Sequence, residues 1–232
     1  ILKIAKDVEI VSEGFYNIML GKVSSNLGFA PDFGQKVVQK KISSYELDEK
    51  NNSLIRYSNN WFDLSSIAKG YAVQKIHDYL TSNNLNNHLI DIGGELVISG
   101  TKKGEPWNIG IQNPLATIES STITINNKNH DFLSIATSGE YRNYKFDDKG
   151  NKVTHTINPK TLSSITNNIL SVTIVNETSA TYADAYATAF NAMGVKKAID
   201  VANSNNIASM IIFKDEDNVD IIYSDKWYDL FL

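Results

Sequence analysis

HLIDIGGELVIS, residues 88–99, is two short apolar runs broken by Gly93-Gly94. Glycine adopts left-handed backbone without steric cost, so a glycine pair between two such runs reads as the tight turn of a hairpin. Adjacent strands joined this way pair antiparallel. Beyond it, strand-like stretches recur at 107–112, 121–126, 132–138, Tyr141–Phe146, Val153–Ile157, Leu170–Val175, Ser209–Phe213 and Val219–Tyr223. Before it lie Lys36–Ile42 and Ser53–Tyr57. Helical spacing appears over 3–13 and over 66–82, where Ile67, Tyr71, Ile76 and Leu80 share a face. An alanine-rich helix is predicted over 180–193 and another over Val195–Asn203, with Gly194 as the stop between them. Runs of strands with helices inserted, rather than strict alternation, predict an α+β fold of mixed, largely antiparallel sheets.

The chain has 232 residues, 42% apolar and 21% charged, as one domain with a sizeable core requires. Its net charge is −4, with the basic residues scattered. Such a surface repels phosphate backbones, so no nucleic-acid partner is expected. A phosphate-bearing ligand would need a metal or a local backbone pocket to neutralise it. Cysteine is absent, which removes disulfides, thiolate nucleophiles and cysteine zinc sites. No apolar run approaches the roughly 20 residues that span a bilayer. The sequence opens with Ile1 in mid-pattern, which reads as a trimmed N-terminus from which targeting information has been removed.

Three segments carry candidate chemistry. In Asp63-Leu64-Ser65-Ser66-Ile67-Ala68-Lys69-Gly70-Tyr71, Asp63 sits where a helix would begin. Free N–H groups and the dipole at such an end attract phosphates, and Lys69, about one and a half turns inward, adds a point charge. The commoner reading of these residue types alone is a plain Asp cap. In Thr181–Ala189, Asp184 and Thr188 are four apart and share a face. A carboxylate and a hydroxyl one turn apart are hard oxygen ligands of the kind Mg²⁺ accepts. The commoner reading is an alanine-rich packing helix whose polar residues face solvent. In Val153–Thr161, His155 lies in an alternating strand ended by Pro159, where it is either structural or a proton acceptor. Neither a dinucleotide fingerprint nor a P-loop occurs.

The order of these segments adds what each lacks singly. D-L-S-S-I-A-K-G-Y-A-V (63–73), L-I-D-I-G-G-E-L (89–96), W-N-I-G-I-Q-N-P (107–114), A-T-S-G-E-Y-R (136–142), T-H-T-I-N-P-K-T (154–161), A-D-A-Y-A-T-A (183–189) and S-E-G-F-Y-N-I-M-L-G (12–21) resemble seven blocks of the ApbE family, in family order. The resemblance covers nearly the whole chain, as one domain over 1–232 with two closely associated lobes and part of the N-terminus lacking. It implies Mg²⁺-dependent transfer of FMN from FAD to a Ser or Thr hydroxyl of a target flavoprotein, releasing AMP. An FAD pyrophosphatase and a non-catalytic FAD-binding protein are the alternatives.

The resemblance implies that Phe15, Tyr16 and Asn17 line the FAD site and that Asp63 and Lys69 contact FAD. His155 is the implied base beside the reacting phosphate. Asp184 and Thr188 are the implied Mg²⁺ ligands, with backbone oxygens near Ser66 and Thr181 as further candidates. The implied acceptor belongs to a membrane redox complex, and the implied location is extracytoplasmic, with a lipid anchor on the precursor. Four positions depart from the family's wording. Asn17 and Asn158 replace Asp, Glu140 replaces Asp, and Leu162 replaces Gly. Asn for Asp removes a negative charge, which would retune flavin affinity or metal occupancy.

Overall fold

The computed structural model describes residues 1–31, 42, 44–115, 121–139, 144–146, 150–216 and 218–231. Its centre is a six-stranded sheet whose strands we number β1 (His88–Ile92), β2 (Glu95–Ser99), β3 (Phe132–Gly139), β4 (Ile169–Asn176), β5 (Ala208–Asp215) and β6 (Asn218–Tyr223). They lie side by side in chain order, and each neighbour pairs antiparallel. The β1–β2 turn is the expected glycine pair. Ile92 faces Glu95, and Gly93 and Gly94 take φ of +62° and +98°, the positive angles a two-residue hairpin loop needs.

Among the described residues six helices accompany the sheet: α1 (Leu2–Val11), α2 (Gly21–Asn26), α3 (Ala68–Ser82), α4 (Ala180–Met193), α5 (Val195–Ser204) and α6 (Asp225–Phe231). Alternate strand residues feed apolar clusters on the sheet's two faces. Ala136, Val172, Ile174 and Ile211 pack with Ala183 and Phe190 of α4. Leu133, Ile135, Met210 and Ile212 pack with Trp227 of α6 and with Ile109, Ile111 and Ile125 of a hairpin pairing 108–112 with 121–126. Burying each such large aliphatic or aromatic side chain contributes about 1.5–3 kcal/mol.

α4 is the fold's central helix. Ser179 caps it by accepting the N–H of Tyr182 at 3.3 Å, and Gly194 at φ +80° separates it from α5. Its alanines have high helix propensity and little bulk, so the helix lies close against both the sheet and α3. Asp184 does not face solvent but is only 4% exposed.

Two local expectations are corrected. α3 begins at Ala68, not near Asp63. Ile67 is fully buried with φ −150°, so the segment before it forms a separate turn, closed by Ala68 N–H donating to Leu64 O. Lys69 is thus in the first turn of the helix rather than one and a half turns inward. The second correction concerns His155. Its strand stops at Thr154 and resumes at Ile157, leaving the histidine in a bend. The Ser164 hydroxyl accepts the Thr154 N–H at 2.6 Å, and Ile165 N–H donates to Thr156 O, so the chain turns onto 163–165 instead of continuing. The strand expected at Lys36–Ile42 (all but Ile42), the first part of Tyr141–Phe146 and Glu140 fall outside the described residues.

Candidate active site

A cleft of about 620 Å³ opens at the Gly93-Gly94 end of the sheet. It is lined by residues of α3, α4, the segment 15–20, the 108–112 hairpin and the bend at His155. Phe15, Tyr16, Asn17, Asp63, Ser66, Lys69, His155, Asp184 and Thr188 all line it, so segments distant in sequence converge as expected. Thr181 does not line it. This residue sits one turn before Asp184, 1% exposed.

The junction of α3 with α4 sets the geometry. Gly70 N–H donates to Asp184 Oδ2 at 2.8 Å, so the carboxylate of one helix caps the first turn of the other. A Cβ at position 70 would meet Ala180 O at 2.4 Å and Asp184 Cβ at 2.6 Å, and only glycine fits. Burial lifts the Asp184 carboxyl above its ordinary value, opposed by the Gly70 N–H and the nearby Lys69 charge. Thr188, one turn further along α4, presents its hydroxyl-bearing side chain to the same space.

Lys69 reaches across the cleft floor, where its ammonium contacts the Glu95 carboxylate and lies 3.4 Å from Gly93 O. Glu95 is 5% exposed, and burial pushes its carboxyl up to about 7 against the pull of Lys69. Asp63 accepts the N–H and the hydroxyl of Ser65 at 3.0 and 2.6 Å, which fixes the turn leading into α3. Ser66 donates to the Tyr16 hydroxyl at 3.1 Å, and burial raises that phenol well above its usual range.

His155 is held from behind. Asn191 of α4 donates to Thr156 Oγ1 at 3.3 Å and approaches Ser138 Oγ at 3.5 Å, tying the bend to α4 and β3. The histidine ring meets Phe29 edge-on at 6.3 Å. Phe15, at the rim, carries the Lys160 ammonium 3.9 Å above its ring.

The two Asn departures are accounted for by turn chemistry. Asn17 Oδ1 accepts the Met19 N–H at 2.7 Å, and Asn158 Oδ1 accepts the Lys160 N–H at 2.9 Å. An Asp would do the same, so the substitutions keep the turns and remove charge. Leu162 stands at φ +57°, a left-handed position that suits the glycine the resemblance expects.

Sequence reasoning left Glu95 and Asn191 out of the site. Glu95 was visible in the Gly-Gly-Glu wording, as a carboxylate just past a turn that approaches a helix start. Asn191 gave no signal, because its partners come from β3 and the His155 bend.

The lining residues include three carboxylates (Asp63, Glu95 and Asp184) against one lysine. With its carboxylates charged, such a cleft repels a diphosphate unless a cation enters with it. It contains oxygen ligands but no sulfur, and among the described residues no group of three or more His, Cys, Asp or Glu comes together. That donor set suits a hard cation that keeps water and ligand oxygens in its shell.

The fold and cleft define an α+β protein in which a helix start and the Asp184–Thr188 face of α4 border one polar cleft. Residues 1–211 match the ApbE family, and the chain belongs to that family. It is 34% identical over 218 residues to the FAD:protein FMN transferase of Vibrio cholerae, covering 89% of this chain and 64% of that protein. The Haemophilus influenzae protein of the same name is 32% identical, over 88% of this chain and 62% of its own length. The chain thus spans less than two thirds of these relatives. Among solved structures, the flavin transferase ApbE from Vibrio cholerae superposes with a TM-score of 0.82 at 29% identity, covering all of this chain and 75% of that one. No helix among the described residues is long and apolar enough to cross a membrane.

Proposed function

We propose that the protein transfers FMN from FAD to a Ser or Thr hydroxyl of an acceptor flavoprotein, with AMP as the leaving group. One observation carries this reading: the α3 start with Lys69, the Asp184–Thr188 face and His155 line a single cleft. The names of the relatives support it.

In this reading the FAD diphosphate lies at the start of α3, beside Lys69. The lysine ammonium offsets charge that builds on the diphosphate oxygens as the bond between the phosphorus atoms' bridging oxygen and the FMN phosphorus breaks. His155 accepts the proton from the attacking hydroxyl, and its bend, tied to Asn191, keeps the ring aimed into the cleft. Tyr16 and Phe15 line the side where the flavin enters.

The residues fit Mg²⁺. Asp184 is a buried carboxylate with one oxygen bound to Gly70 N–H, in a cleft short of positive charge, and Thr188 faces the same space. Those two side chains would hold the ion, with backbone oxygens near Ser66 and Thr181 as further candidates. Once bound, Mg²⁺ supplies charge neutralisation of the diphosphate. The reading extends to an acceptor in a membrane redox complex and to an extracytoplasmic site of action with a lipid anchor on the precursor, as the family resemblance implies.

Incubating the protein with FAD, Mg²⁺ and a threonine-containing acceptor peptide tests the reaction by mass spectrometry. The expected product is a peptide heavier by one FMN moiety, with AMP in equal yield. Free FMN and AMP without adduct would make the protein a pyrophosphatase, and intact FAD would make it a binding protein.

A further inference from the structure

A second set of ligating side chains lies away from the cleft. His77 is eight residues beyond Lys69 on α3, about 12 Å along the helix at 1.5 Å per residue. His88 is the first residue of β1. The two rings meet with His77 Nδ1 2.9 Å from His88 Nε2.

We propose that His77 Nδ1 and His88 Nε2 form a second metal site, for a borderline divalent transition cation such as Cu²⁺ or Zn²⁺. The hydrogen-bond pattern prepares one ligand already. His88 Nδ1 is 2.7 Å from Leu85 O, and a carbonyl only accepts, so Nδ1 carries the proton and Nε2 presents its lone pair. Metal-bound histidines are commonly held this way, with the second nitrogen donating to a backbone carbonyl. His77 must then be the donor of the inter-ring bond. On metal binding its proton moves from Nδ1 to Nε2, and both inward nitrogens become ligands with no net proton release.

The spacing needs little adjustment. Two metal–nitrogen bonds of about 2.05 Å at a tetrahedral angle place the nitrogens about 3.3 Å apart. The nitrogens need to part by only a few tenths of an ångström, and each ring must turn so that its lone pair points at the ion instead of at the other ring. His77 is braced by the Phe132 ring, edge-on at 4.7 Å. Asp78, next to His77, is already engaged by Gln74 and Lys75, so water would complete the shell. Imidazole pairs select copper, zinc and nickel over magnesium, so this site does not compete for the cation of the cleft. Occupied, it would pin the later turns of α3 to the edge strand of the sheet.

Titration with Cu²⁺ in the presence of excess Mg²⁺ tests the site, read by electron paramagnetic resonance. One equivalent with two equatorial imidazole nitrogens is expected. His77→Gln should weaken it at least ten-fold, and His130→Gln should leave it unchanged. In parallel, Zn²⁺ should raise the Tm of the wild type but not of His77→Gln, whose metal-free Tm stays near wild type. No bound equivalent, fewer than two nitrogens in the spectrum, or unchanged affinity in His77→Gln overturns the proposal.

Discussion

The Lys69 ammonium rests against the Glu95 carboxylate, which the β1–β2 hairpin delivers to the cleft floor almost fully buried. The glycine turn therefore does more than reverse the chain: it supplies the counterion that parks the lysine beside the ligand space.

This pair makes stability respond to pH. Burial raises the Glu95 carboxyl from its ordinary 4.5 to about 7, so the folded protein holds a proton that the unfolded chain has released. Its contribution is full below about pH 4.5 and is lost as pH rises through about 7. Urea midpoints for wild type and Glu95→Gln should diverge across that window, with the wild type falling relative to the variant as pH rises. Parallel profiles would mean that the carboxyl titrates as an exposed one does.

Gly70→Ala probes the helix junction. The added methyl would lie 2.4 Å from Ala180 O, so α3 and α4 must separate. Overpacking of about 1–3 kcal/mol outweighs the roughly 1 kcal/mol that alanine gains in helix propensity. A lower urea midpoint and loss of FAD turnover are expected together. A wild-type midpoint would show that the helices do not touch there.

Asp184→Asn keeps the shape of the side chain and an acceptor for Gly70 N–H. Because burial disfavours the charged carboxylate, the cation-free variant should match or exceed the wild-type Tm. Its Mg²⁺-induced Tm shift should vanish, and FAD turnover should fall on the order of 100-fold or more. Turnover that persists with its Mg²⁺ dependence would remove Asp184 as a ligand.

His155→Gln should lower kcat by about 10²–10⁴-fold, the range of a lost proton acceptor, with KM for FAD little changed. A loss confined to KM would make the residue a binding contact only.

Leu162→Gly tests the left-handed backbone. Glycine relieves about 1–2 kcal/mol of strain and forfeits a half-buried contact with Leu20, Val23 and Ile157. The net change should be under about 1 kcal/mol. The loss of 2–5 kcal/mol usual for truncating a core leucine would show that the strain is small.

Much of the fold was legible because its signals are local. Gly93-Gly94, the alanine run of α4 and the Gly194 stop each dictate backbone within a few residues. What stayed hidden depends on distant partners. The start of α3 is set by buried Ile67 and by the Asp184 carboxylate of α4, which accepts the Gly70 N–H, so no nearby residue announces it. The break at His155 reflects a Ser164 hydroxyl that replaces a strand partner. The short helices α2 and α6 carry too few turns for helical spacing to show. Asp184 could be read as a ligand from its spacing to Thr188, but only the fold shows that it is buried and also holds α3.

The bond from Gly70 to Asp184 joins positions 114 residues apart. During translation α3 leaves the ribosome long before α4 exists, so a growing chain carries only half of the cleft for much of its synthesis. On the proposed activity, a nascent or prematurely terminated chain could not consume flavin dinucleotide, and competence arrives with the late-emerging helix that closes the pocket.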